Sequence, residues 1–137
     1  MVPGFSRYPI WRRWFGRRSE RAAARFLRKL GWRILGVNID DQRGEIDLLA
    51  LDGQTLVVVE VRSSETKLFD ELATSVDHEK QKRLTQATLR MIQRRKLWNV
   101  GFRFDIIAIR WPPQVRQPDI RHYRHAFQMV GKFQFHS

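Results

Sequence analysis

At 137 residues, 42% of them hydrophobic and including nine Phe and five Trp, the chain suffices for one domain with a modest core. The absence of cysteine excludes a disulfide framework and any thiolate metal site, and no apolar run is long enough to span a bilayer. The net charge of +12 divides into +9 over residues 1–35, −8 over 36–79 and +11 over 80–137. An acidic centre between basic wings fits a polyanion held by the wings with a cation at the centre; the alternative is a generally basic protein with solvated acidic loops.

Residues 1–15 interleave Phe5, Tyr8, Trp11, Trp14 and Phe15 with Arg7, Arg12 and Arg13, and are expected to form a loosely docked arm. Such residues suit base stacking with phosphate pairing, a membrane surface, or simple cover for a core edge. They lack the continuous apolar segment of an export signal, so the expected location is cytoplasmic. From 17 to 31 the spacing of Ala23, Phe26, Leu27 and Leu30 predicts a helix stopped by Gly31. Arg18, Arg21, Arg25 and Arg28 fall largely off that stripe. Glu20 shares a side with residues 23, 24 and 27. There it either gains from the helix dipole or points at a neighbouring sheet.

Trp32 to Val37 reads as a short strand and Asn38 to Arg43 as a polar loop. The stretch Gly44 to Arg62, GEIDLLALDGQTLVVVEVR, predicts a hairpin, with Asp52-Gly53 as a two-residue type I′ turn. That turn would set Asp47 opposite Val58 and Glu45 opposite Glu60. With strict alternation, Glu45, Asp47, Glu60 and Arg62 share one sheet face. Asp47 and Glu60 then become diagonal neighbours roughly 7–8 Å apart. Clustered carboxylates call for a hard divalent cation, unless Glu45 and Glu60 are solvated strand ends.

Residues 63–75 show little periodicity. Ser75 or Thr74 is expected to cap a second helix beginning near Val76, with Leu84, Ala87, Thr88 and Met91 as its apolar stripe. Its remaining surface is basic: Lys80, Lys82, Arg83, Arg90, Arg94, Arg95 and Lys96. Gly101 to Arg110 has strand composition and Trp111-Pro-Pro ends it. After a polar linker at 114–119, Ile120 to Phe127 should pack a last strand or turn. His122 and His125 lack a third nearby ligand.

Gly44-Glu-Ile-Asp47, a short turn and Val59-Glu60-Val61-Arg62 together resemble the YraN-like bacterial family, a branch similar to the restriction-endonuclease-like superfamily and to Holliday-junction resolvases. Supporting matches are Gly16-x-x-x-Glu20-x-x-Ala, Asn38 six residues before Gly44, Lys80 in Lys80-Gln-Lys-Arg-Leu84, and Phe104-Asp105. The resemblance spans residues 16–127, leaving a tail at 128–137. It implies an α/β fold of restriction-endonuclease-like, three-layer type, with a central mixed sheet flanked by helices. It also implies Mg²⁺ or Mn²⁺ held by Asp47, Glu60 and Glu20, and catalytic roles for these acids with Arg62 and Lys80. DNA is the implied partner, with Arg21, Arg25, Arg28, Lys82 and Arg83 on its phosphates and a homodimer as the active form. Asp105 is expected to be structural. The family's acid-x-Lys carries Arg62 here, and a guanidinium cannot act as a base. Lys80 or Lys67 can substitute if either reaches the site. A non-catalytic nucleic-acid-binding domain and a membrane-surface or protein-interaction module are the alternatives.

Overall fold

The computed structural model describes residues 18–41 and 44–131; the arm at 1–15 and the tail from 132 onward lie outside the described residues. Helix α1 (Arg18–Lys29) buries Ser19, Glu20, Ala23, Ala24 and Leu27. Two of these are alanines, so the helix backbone can approach the sheet closely. Phe26 is half-buried and Leu30 exposed, so the apolar stripe is rotated toward the side on which Glu20 was placed. The Trp32 N–H donates to the Leu27 carbonyl at 3.1 Å and Gly31 adopts φ +87°, closing the helix with a left-handed glycine.

Strand β1 (Arg33–Asp41) extends four residues beyond the predicted Val37. The expected polar loop from Asn38 is therefore mostly strand. Its continuation depends on Asn38, whose φ of +46° is tolerated best by Asn and Gly. That residue switches the alternation: Val37 faces the α1 layer, whereas Ile39 packs in the opposite one. Strand β2 (Gly44–Asp52) makes the matching switch, with Ile46 and Leu48 on opposite faces.

Strand β3 (Thr55–Ser64) pairs with β2 through Asp52↔Thr55, Leu51↔Leu56 and Leu48↔Val59. The two-residue turn is thus Gly53-Gln54 rather than Asp52-Gly53. Gly53, at φ +60°, takes the first loop position, as a type II′ turn requires. Moving the turn by one residue shifts every pairing by two. Faces survive such a shift, and the same register carried onward sets Asp47 opposite Glu60 instead of Val58.

Between β3 and the next helix lies an element that periodicity did not reveal, α2 (Phe69–Thr74). Thr74 and Ser75 turn their hydroxyls back onto the Asp70 and Leu72 carbonyls at 2.9 and 2.6 Å, so neither caps the longer helix after them. The cap of that helix, α3 (His78–Arg95), is Asp77, which accepts from the Lys80 N–H at 2.9 Å. Leu84, Ala87, Thr88 and Met91 are buried as predicted, with Thr85 and Ile92 widening the stripe.

Strand β4 (Phe102–Arg110) runs parallel to β3, and β5 (Asp119–Phe127) antiparallel to β4. The five strands lie in the order β1-β2-β3-β4-β5. One core layer joins α1 to the face carrying Leu48, Val57, Val59 and Ile107; the other joins α3 to Leu49, Leu56, Val58 and Phe104. The architecture is α/β, a mixed sheet flanked by helices. Among the described residues no helix is long and apolar enough to cross a membrane.

Candidate functional site

Glu60 follows four buried residues on β3 and faces the α3 layer, 3% exposed. A carboxylate there needs partners, and two cations supply them: Arg62 Nη2 lies 3.2 Å and Lys80 Nζ 3.4 Å from Glu60 Oε2. Of the two lysines considered as substitutes for the acid-x-Lys position, Lys80 therefore reaches the site. Lys67 sits on an exposed loop whose backbone is fastened to Ser64 Oγ at 3.0 Å.

Asp47 comes from the strand alongside. Its Oδ2 accepts from the Val61 N–H at 2.9 Å, replacing a ladder bond where β2 switches faces. Its carboxyl also meets that of Glu60, and two carboxyls bond only by sharing a proton. Burial, together with this contact and the Asp47 charge, pushes the Glu60 carboxyl up to about 8 against the opposing pull of Lys80 and Arg62. Glu60 Oε1 is buried and receives no N–H or O–H, and Arg62 Nε is likewise unmatched. At neutral pH the pair thus holds one proton between two carboxyls, with two cations on one side.

Glu20 is buried on α1, and Asn38 Nδ2 donates to its Oε2 at 2.9 Å. Asn38 occupies the β1 position between the pairs Val37↔Leu48 and Ile39↔Ile46, hence opposite Asp47. The asparagine that reverses β1 is therefore also the group that ties the α1 acid beside the strand acids. Its spacing from Gly44 was visible in the chain; its role was not. Glu45, expected on the same sheet face, is exposed. Among the described residues no three acidic or histidine side chains converge as a ready metal nest, so Glu20 does not complete one with Asp47 and Glu60.

Glu20 and Lys80 each lie in the first turn of their helices, which approach from opposite faces of the sheet. Arg21, Arg25 and Arg28 are exposed along α1, and Lys82 and Arg83 along α3. The basic residues flank the acids from two layers instead of forming one flat patch.

A second polar cluster surrounds Asp105, which is 0% exposed. Arg103 donates to it through Nε at 3.0 Å and Nη2 at 3.3 Å, and bridges to Asp52 through Nη1 at 3.0 Å. His122 Nε2 lies 2.7 Å from Oδ2, and the His125 N–H donates to Oδ1 at 3.1 Å. Burial alone would raise this carboxyl, but His122, Arg103 and the His125 amide outweigh it and hold it below the usual range. His122 is enclosed by Phe26 and Trp32, edge-on at 5.9 and 5.3 Å. These contacts give Asp105 and His122 structural work. The sequence signal for this cluster is Arg103, two residues before Asp105 on the same strand face.

Compared with known proteins, residues 19–109 match the family described as uncharacterised protein family UPF0102. A UPF0102 protein of Rhodopirellula baltica is 40% identical over 124 residues, covering 88% of this chain and 74% of that protein. The UPF0102 protein of Geobacter sulfurreducens is 36% identical over 84% of this chain and 89% of its own length. That of Pseudomonas syringae is 40% identical over 72% and 80% respectively.

Proposed function

The chain belongs to uncharacterised protein family UPF0102, the YraN-like family, and from that premise we propose that it binds nucleic acid and hydrolyses phosphodiesters in a metal-dependent reaction, as an endonuclease on branched DNA. The observation that carries this reading is the Asp47–Glu60 carboxyl pair, backed by Arg62 and Lys80 and flanked by basic helices.

The pair fits a hard divalent cation such as Mg²⁺ or Mn²⁺. It offers oxygen donors on adjacent strands, and one of them, Glu60 Oε1, is buried without a donor partner. Asp47 and Glu60 would hold the ion, with Glu20 as the further acid of the same region. A divalent cation held there would supply polarisation of a phosphodiester and a lowered pKa for an attacking water. Arg62, always protonated, pairs with a phosphate oxygen and stabilises developing negative charge but takes no proton. Lys80 is the side chain that can exchange one. The N-terminus of α3, whose first turn holds Lys80, favours an anion beside the pair. A homodimer would suit a symmetric junction with two cuts, and the cytoplasm is the proposed location.

A second reading, favoured by arginine at the acid-x-Lys position, keeps binding without turnover. The test is an assay on four-way-junction, flap and duplex DNA with Mg²⁺ or Mn²⁺. The endonuclease reading expects cleavage of the branched substrates, reduced at least about 100-fold by Asp47→Ala and by Glu60→Ala. Binding without cleavage under either metal, with cleavage gained in Arg62→Lys, would establish the second reading. Failure to bind any of the three would overturn both.

A further inference from the structure

From Lys80 to Phe104 the chain contains no acidic residue, while α3 and the turn beyond it carry Lys80, Lys82, Arg83, Arg90, Arg94, Arg95 and Lys96. Four of these, Lys80, Arg83, Arg90 and Arg94, follow i, i+3, i+10 and i+14, so they form one row along the helix beside the buried Leu84, Ala87 and Met91. The row begins at Glu60, which Lys80 contacts. It ends at a turn that presents Trp98 to solvent.

That turn is well built. Lys96 ends α3 in the left-handed conformation at φ +56°. Leu97 is buried and its N–H donates to the Ile92 carbonyl at 3.0 Å, and the Val100 N–H donates to the Leu97 carbonyl at 3.2 Å. Anchored on both sides, Trp98 is nonetheless 66% exposed. The other tryptophans among the described residues are enclosed: Trp111 donates through Nε1 to Ser19 Oγ at 2.8 Å, and Trp32 lies beneath the Arg103 and Arg124 guanidinium groups.

We propose that Trp98 is a stacking platform for an unpaired nucleotide, and that the Lys80–Arg94 row guides the phosphates of that strand between the platform and the Asp47–Glu60 site. This rests on the nucleic-acid reading above and adds a substrate class, nucleic acid with a single-stranded segment. A lone aromatic ring at the end of a purely cationic strip matches the two faces of a nucleotide, flat base and anionic backbone. A membrane surface would need a continuous apolar stripe. Among the described residues, however, the other exposed large apolar side chains, Leu30, Leu68 and Val115, all lie off α3. At 1.5 Å per residue the row from Lys80 to Arg94 spans about 21 Å, or about six stacked nucleotide steps at 3.4 Å each.

The experiment measures binding of the full chain, without divalent metal, to labelled oligothymidine, a blunt duplex and the same duplex with an oligothymidine tail. Phosphatidylserine vesicles serve as a fourth probe. Trp98→Ala should weaken binding to oligothymidine and the tailed duplex about tenfold and to the blunt duplex less than about twofold, with Trp98→Phe retaining most of the affinity. The thermal midpoint should be unchanged, since the ring packs on little. Equal binding by wild type and Trp98→Ala, a uniform loss over all three nucleic acids, or a loss confined to the vesicles would each overturn this role while leaving the nucleic-acid reading intact. A wild-type chain that binds none of the nucleic acids would remove both.

Discussion

Replacing Asp105 with alanine should lower the free energy of unfolding by about 3–5 kcal/mol, the cost of breaking a buried ion pair by deleting one partner. Asp105 is fully buried, and Arg103, whose side chain is only 10% exposed, directs two nitrogens at it. Without the carboxylate, Arg103 keeps Asp52 as its carboxylate partner, and His122 and the His125 amide lose their acceptor. The strand bends here: pairing between β4 and β5 shifts register between Phe104 and Ile106, and His125 adopts φ +49°. Asp105 therefore fixes the irregular part of β5 as well as a charge. Urea unfolding at pH 7 measures the change, with the midpoint falling and the slope unchanged. Because the folded carboxyl is held below its usual range, its contribution is present above the unfolded pKa and is lost as pH falls through the folded one. A loss under about 1 kcal/mol would mean that the cluster is replaceable packing.

The second large effect concerns Glu60 and has the opposite pH dependence. Its folded carboxyl titrates at about 8 against 4.5 for the ordinary group. The native state therefore holds a proton that the unfolded chain releases between those values. Wild-type stability should fall across that window, by up to about 1.4 kcal/mol per pH unit from this group, and level off above it. Glu60→Gln keeps the shape and removes the titration. The variant should match wild type below pH 4.5 and exceed it by several kcal/mol above pH 8, as denaturant titrations from pH 4 to 9 would record. The opposite difference at pH 8, wild type above variant, would show that Arg62 and Lys80 outweigh burial and the Asp47 charge, leaving Glu60 ionised.

Much of this arrangement can be read in the chain because its signals are local. Ala23, Ala24 and Leu27 at helical spacing set Glu20 on the buried side of α1, and β-branched Val57 to Val59 mark a strand covered on both faces. Asp47 and Glu60 meet although the turn lies one residue later than Asp52-Gly53 predicts, because a pairing shift of two preserves sheet faces. What escaped was context-dependent. Asn38 reads as a loop residue, and only tertiary contacts show that its left-handed backbone continues a strand and that its amide reaches Glu20. The six residues of α2 are too few for periodicity. They are secured by a distant group, the Tyr123 hydroxyl donating to Asp70 at 2.7 Å. The sequence points to Ser75 or Thr74 as the cap of α3, whereas Asp77 fills that role because the Ser75 hydroxyl turns back onto the Leu72 carbonyl.

Calorimetric titration of Mn²⁺ into the protein at pH 7 asks whether Asp47 and Glu60 hold a metal ion together. Repeating the titration in buffers of different ionisation enthalpy counts the protons released. The expected result is a site that expels about one proton per ion, because Glu60 must give up its proton to bind metal, and that disappears in Asp47→Ala. Binding that is unchanged in Asp47→Ala and releases no proton, or no binding at all, would contradict it.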